Sequence, residues 1–193
     1  TQINLGRVVS VGEHAFNDCS SLRRFDFTYV ESLAIYAFSG CQNLDNVILN
    51  DKIPSLPDYV FNGCVSLTEI SLPQTLSSVG QYALAGTGIV QAVLPQNVET
   101  VGDSAFEGCE NLISATLGQK VRVLGASAFQ NCISLSEITL NDGIEEIGNL
   151  AFANCSSLFV VKIPQSVVKV GKYAFLQNGQ GLKILCVADS EPE

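Results

Sequence analysis

One aromatic residue returns along this chain at an almost constant interval, and that recurrence limits the available folds more than any other feature. Phe16, Phe38, Phe61, Phe106, Phe129, Phe152 and Phe175 lie in one register at an almost fixed spacing, with Leu84 filling the single gap. The residue before each is Ala15, Ala37, Val60, Ala83, Ala105, Ala128, Ala151 or Ala174. Three residues after come Cys19, Cys41, Cys64, Thr87, Cys109, Cys132, Cys155 and Asn178. A leucine or isoleucine follows each, from Leu22 to Leu182. Eight copies in register mark a solenoid, in which each unit buries its apolar side only against its neighbours. The whole chain, 1–193, reads as a single repeat domain.

The unit is V-x-x-V-G-x-x-A-F-x-x-C-x-x-L-x-x-I-x-L-P, as in Val98 to Leu117 and Ile144 to Ile163. Its L-x-x-h-x-h segment, such as Leu135, Ile138 and Leu140, alternates with the period of a half-buried strand. One such strand per unit implies parallel pairing between successive units, and the remaining ~17 residues must bring the chain back to its starting level. Gly12, Gly80, Gly102, Gly125, Gly148 and Gly171 mark a turn where a side chain would be strained or crowded, with Ala34 and Pro57 in the other two units. The spacing of Phe and Cys places both on one side of a single helical or 3₁₀ turn. Pro73, Pro95 and Pro164 end their strands, where a missing N–H does least harm.

The cores VGDSAFEGCENL and IGNLAFANCSSL, recurring along the chain from Val8 to about Val187, resemble the BspA-like leucine-rich repeats of bacterial and protozoan surface proteins. That resemblance implies an α/β leucine-rich-repeat solenoid of about eight units, each of roughly 22–24 residues. One parallel β-sheet would run along one face, with short turns or 3₁₀ segments on the return side. It also implies a location at the cell surface or outside the cell, and an adhesive role. The pattern is broken in the fourth unit, where Leu84 and Thr87 replace Phe and Cys and one residue is missing before Ile89. It is broken again at Gln177–Gly181, which displaces the last cysteine and lengthens the loop.

Composition removes several alternatives. The formal charge is −9, with 10 Lys+Arg against 19 Asp+Glu, which argues against a nucleic-acid binder that needs clustered cations. No apolar run reaches the ~18 residues of a membrane-spanning helix, and no signal peptide opens the chain. Seven cysteines invite disulfides, but six of them, Cys19, Cys41, Cys64, Cys109, Cys132 and Cys155, hold one repeat position. They read with the Phe residues as a structural ladder of buried thiols. Stacked, in-register side chains would sit about 4.8 Å apart, beyond the ~3.8 Å between Cβ atoms that a disulfide prefers. Zinc is disfavoured because no C-x₂₋₄-C pair occurs. Cys186 is the exception, read as facing outward. The single histidine, His14, is a surface residue in the pair between Gly12 and Ala15. No phosphate loop, H-E-x-x-H or calcium loop is present. No catalytic group, metal or cofactor is assigned, and the chain is read as no enzyme.

Function in a solenoid belongs to the exposed positions that the repeat leaves free. The first outward set on the strands is Arg24, Asn46, Glu69, Gln91, Ser114, Glu137, Val160 and Ile184; the second is Asp26, Ile48, Ser71, Val93, Thr116, Thr139, Lys162 and Cys186. Their chemistry is mixed, which suits a broad protein contact more than a small-molecule pocket. Phe159, Val160 and Ile184 beside Lys162 and Lys183 form an apolar cluster at the last two strands. The expected function is therefore a non-catalytic protein-interaction module, and the resemblance implies that its partner is an extracellular-matrix or host surface protein. The alternative is a structural spacer that presents a neighbouring domain. The chain opens partway through a unit at Ile3–Gly6 and closes on the acidic Asp189 to Glu193, so it is expected to be the repeat region of a larger protein.

Overall fold

The computed structural model describes residues 2–3 and 6–186; Asn4, Leu5, Val187 and the acidic tail, on which parts of the sequence reading fall, lie outside the described residues. The predicted strands form a front ladder: Gln2–Ile3, Arg24–Phe25, Asn46–Ile48, Glu69–Ser71, Gln91–Val93, Ser114–Thr116, Glu137–Thr139, Val160–Ile163 and Lys183–Cys186. Every pair is parallel and joins equivalent positions of successive units, as in Ser114 opposite Gln91 and Glu137 opposite Ser114. The ladder is interrupted, falling into sheets of two, two, three and two strands.

Two features of each coil differ from expectation. First, the V-x-x-V segment forms a second strand, so a unit carries two strands instead of one. This rear ladder runs from Ser10–Val11 to Lys169–Val170, and its last six strands, starting at Ser55–Leu56, make one continuous sheet. Its strands are two residues long, too short for alternation to be visible in sequence.

Second, the return side contains no helix among the described residues, so the α/β description and the 3₁₀ turns are not found. The A-F-x-x-C stretch is an arc in which the residue before Ala and the residue before Cys take positive φ. In the fifth unit these are Ser104, at 55°, and Gly108, at 68°. This alternation turns every second N–H toward the next coil. Ser104, Phe106 and Gly108 donate to the carbonyls of Ala126, Ala128 and Gln130, each at 2.8 Å. The N–H groups between them close local turns, Ala105 to Gly102 and Glu107 to Ser104. A right-handed helical turn would spend its N–H groups along its own axis and leave the stacked coils unpaired. Left-handed backbone costs roughly 1–2 kcal/mol per non-glycine residue, and the inter-coil hydrogen bonds offset it.

The core is a set of in-register columns. Phe38, Phe61, Phe106, Phe129 and Phe152 are fully buried, whereas Phe16 and Phe175 in the outermost arcs are partly buried. The rings stack as Phe16–Phe38–Phe61 and as Phe106–Phe129–Phe152–Phe175, with Leu84 separating the two columns. Each buried cysteine donates its S–H to the carbonyl of the Phe-column residue one coil back, as Cys132 does to Phe106 at 3.1 Å and Cys155 to Phe129 at 3.1 Å. The cysteine column thus fills a small apolar space while serving a carbonyl. Thr87 takes this position in the fourth unit but bonds within its own coil, its hydroxyl donating to the Leu84 carbonyl at 2.8 Å and lying 3.3 Å from the Cys109 sulfur. The residue missing from that unit is accommodated at Gly88, where a Cβ would come within 2.4 Å of the Val65 carbonyl oxygen.

Candidate functional site

The front strands hold their second residue inward, as Val47, Ala92, Ala115, Ile138 and Val161 do, and so push the flanking residues to solvent. Among the eighteen residues of the predicted face all are exposed except Ser114, which is half-buried. They are brought together as a strip along the front ladder. Toward the first coils the strip deepens into two shallow, adjoining hollows of about 640 and 680 Å³, which share Asn46 and Ile48. The floor is a contrast of chemistry. Ile48 and Val93 are 66% and 67% exposed, while Arg24, Asp26 and Glu69 supply charge at the same level. The Asp26 carboxyl is held below its ordinary range by hydrogen bonds from the hydroxyl and the N–H of Thr28. Arg24 faces Asp45 across 3.9 Å.

The last strand is a correction. Phe175 and Lys183 are separated by the same number of residues as Phe152 and Val160, so Gln177–Gly181 shifts Leu182 without lengthening the coil. Lys183 therefore pairs with Val160, Ile184 with the buried Val161, Leu185 with Lys162 and Cys186 with Ile163. Paired residues of a parallel ladder project to the same side, so the outward residues are Lys183 and Leu185. Ile184 and Cys186, read from the sequence as outward, belong to the inward side. They are exposed because no described coil stacks below them. Phe159, Val160, Lys162 and Lys183 remain on the front.

The arc carries a second surface feature, which the sequence reading passed over. The left-handed position before Ala is His14, Tyr36, Tyr59 and Tyr82 in the first four units, and their rings stack edge-outward. Centroids lie 4.7, 4.5 and 4.8 Å apart, with planes within 7°, 13° and 13° of parallel. The signal available in sequence was a fixed offset of two residues before the Phe column. His14 is exposed, stacked on Tyr36 and 3.6 Å from the Glu13 carboxylate. No nucleophile stands beside it in the described hydrogen bonds. Five of the seven free cysteines are buried, and burial pushes the thiols of Cys41 and Cys155 up to about 12 and that of Cys109 to about 11. Among the described residues no group of three or more His, Cys, Asp or Glu side chains converges as a metal site would require. The described residues contain no helix long and apolar enough to cross a membrane.

This geometry agrees with known proteins. The model of the BspA type leucine rich repeat region matches residues 1–113 and 86–187. A leucine-rich repeat protein from Bacteroides ovatus shares 30% identity and superposes with a TM-score of 0.86 over 95% of this chain. The chain spans 48% of that protein's length. The T. pallidum leucine rich repeat protein is 24% identical, with a TM-score of 0.73, over 91% of this chain and 79% of its own. A leucine rich cell surface protein from Faecalibacterium prausnitzii is 23% identical, with a TM-score of 0.51, over 88% of this chain and 61% of its own. The latter two support the fold alone. No curated protein matches the chain.

Proposed function

The chain belongs to the BspA-type leucine-rich repeat family, and from that premise we propose that it is a non-catalytic protein-interaction module of a cell-surface or secreted protein, binding an extracellular-matrix or host surface protein through its front strip. The observation that carries this reading is the pair of adjoining hollows around Ile48 and Val93. Two aliphatic side chains, each about two-thirds exposed, are set among charged and amide groups along the front strands. Interfaces place apolar anchors inside a polar rim in this manner, and the anchors carry most of the affinity. The surface location, the adhesive role and the reading of the chain as a non-enzyme are taken from the family.

The test is binding of the purified chain to an array of extracellular-matrix and plasma proteins, alongside an Ile48→Asp, Val93→Asp variant and a Val160→Asp variant. Saturable binding that the first variant loses supports recognition in the hollows. Loss in the Val160→Asp variant alone would move recognition to the last strands. Binding that survives in both would overturn the front strip as the site. A folded chain that binds no component would favour the spacer reading.

A further inference from the structure

We propose that Tyr36, Tyr59 and Tyr82 form an oxidative cross-linking site, at which a one-electron oxidant such as a haem peroxidase with hydrogen peroxide joins Tyr59 to Tyr36 or Tyr82 through an ortho carbon–carbon bond. The three phenols are stacked coil on coil, with centroids 4.5 and 4.8 Å apart and planes 13° from parallel. All three rings are half-buried, so their edges reach solvent.

The fold does not demand these rings. Ser104 and Ser127 hold the same arc position at φ 55° and 56°, against 56°, 58° and 52° for the tyrosines. The rest of the chain offers few competitors for an oxidant. It has no Met and no Trp, and five of its seven cysteines are buried, each with its S–H engaged by a carbonyl. Tyr29 carries the Arg7 guanidinium 5.4 Å above its ring, and a cation on the face opposes removal of an electron. Tyr173, 67% exposed, has no ring stacked on it among the described residues.

The reaction balances simply. Each of two phenols gives one electron and its hydroxyl proton to the oxidant, leaving two phenoxyl radicals. The radicals couple at their ortho carbons, and the two ring hydrogens move to the oxygens to restore both phenols. One peroxide is reduced to two waters for each bond formed, and the protein loses two hydrogens. The product is a covalent tie between adjacent coils at the surface of the arc.

The experiment treats the dilute chain, with Cys186→Ser to silence the exposed thiol, with a haem peroxidase and hydrogen peroxide. Dityrosine emission, intact mass and cross-linked peptides are the readouts. The expected result is a monomer lighter by two hydrogens, with Tyr59 joined to Tyr36 or Tyr82. Tyr59→Phe, which belongs to both pairs and keeps its ring stack, should lose most of the emission, whereas Tyr29→Phe and Tyr173→Phe keep it. Denaturing the chain in urea before oxidation should abolish the intramolecular product. Emission retained in Tyr59→Phe, cross-links found only between chains, or a folded chain without the bond would each overturn the proposal.

Discussion

Replacing Phe129 by Ala tests the packing argument at its centre. Phe129 is fully buried, with the Phe106 ring at 5.0 Å and the Phe152 ring at 5.5 Å on its two faces, both within 4° of parallel. Its N–H donates to Ala151, and its carbonyl accepts the Cys155 thiol. Alanine preserves those backbone bonds, so the change isolates the ring. Phe→Ala in a core costs about 3–5 kcal/mol, combining lost transfer energy with a residual cavity. The two stacked pairs account for roughly 0.5–1.5 kcal/mol each within that figure. Relaxation should be small, because collapse at one coil is opposed by inter-coil hydrogen bonds on both sides. Urea titration followed by far-UV circular dichroism measures the loss. Native-state hydrogen exchange should accompany it, because solenoid unfolding spreads from unit to unit and need not be two-state. Phe129→Leu should recover much of the cost, since Leu84 fills the same column with no exposure. A cost below about 1 kcal/mol for Phe129→Ala would contradict the core assignment, given the usual range for buried aromatics.

Other outcomes follow from the same geometry. A thiol dye should titrate at most Cys19 and Cys186 in the native protein, because the other five cysteines are buried; more than two rapidly reacting thiols would refute the buried column. The thiols raised from 9.0 to about 11 at Cys109 and about 12 at Cys41 and Cys155 link stability to alkali. A raised folded pKa gives a contribution complete below pH 9 and lost as pH rises through 11 to 12, so a flat urea midpoint across that interval would contradict it. Gly125→Ala should cost about 1–3 kcal/mol by overpacking, since a Cβ there would meet the Gly102 carbonyl carbon at 2.5 Å. Gly12→Ala, with nothing within 4 Å, should be neutral in the same titration. Hydrogen exchange through residues 76–94 should be faster than in the flanking coils, because Leu84 forfeits two ring pairs; uniform protection there would refute that expectation.

The sequence was most informative where one residue does one thing in every coil. The Phe, Cys and Leu columns appear as fixed intervals, and the structure buries them together. The rear ladder is not legible in the sequence because its strands are two residues long and both valines of V-x-x-V point inward, which leaves no alternation to detect. The arc is hidden for a different reason. A Phe–Cys spacing of three fits a helical turn and a turn with left-handed residues equally well, and Tyr, Ser and Leu at a positive-φ position give no warning that glycine would. Leu182 matches the leucine column in sequence and so points to a false register for the last strand, whereas backbone pairing fixes Lys183 opposite Val160. Candidate face residues were legible elsewhere because a period of two assigns sides without knowledge of the return path.

The division of labour among the front ladder, the rear ladder and the arc bears on where recognition is placed. The rear ladder is continuous over six strands, and inter-coil bonds in the arc recur at every described junction between neighbouring units. Those two sides set the register of the stack. The front ladder is interrupted three times, so its strands contribute least to the alignment of coils. A substitution of an outward front residue disturbs neither a core column nor an essential ladder, and surface changes of that kind usually shift stability by less than about 0.5 kcal/mol in either direction. The front positions are therefore among those whose chemistry is free of the fold. Their chemistry is mixed, passing from Arg24 and Asp26 through Ile48 and Val93 to Lys162 and Lys183 along one strip. A binding surface on this solenoid is expected on the side where the stack tolerates most variation, and the hollows around Ile48 lie on that side.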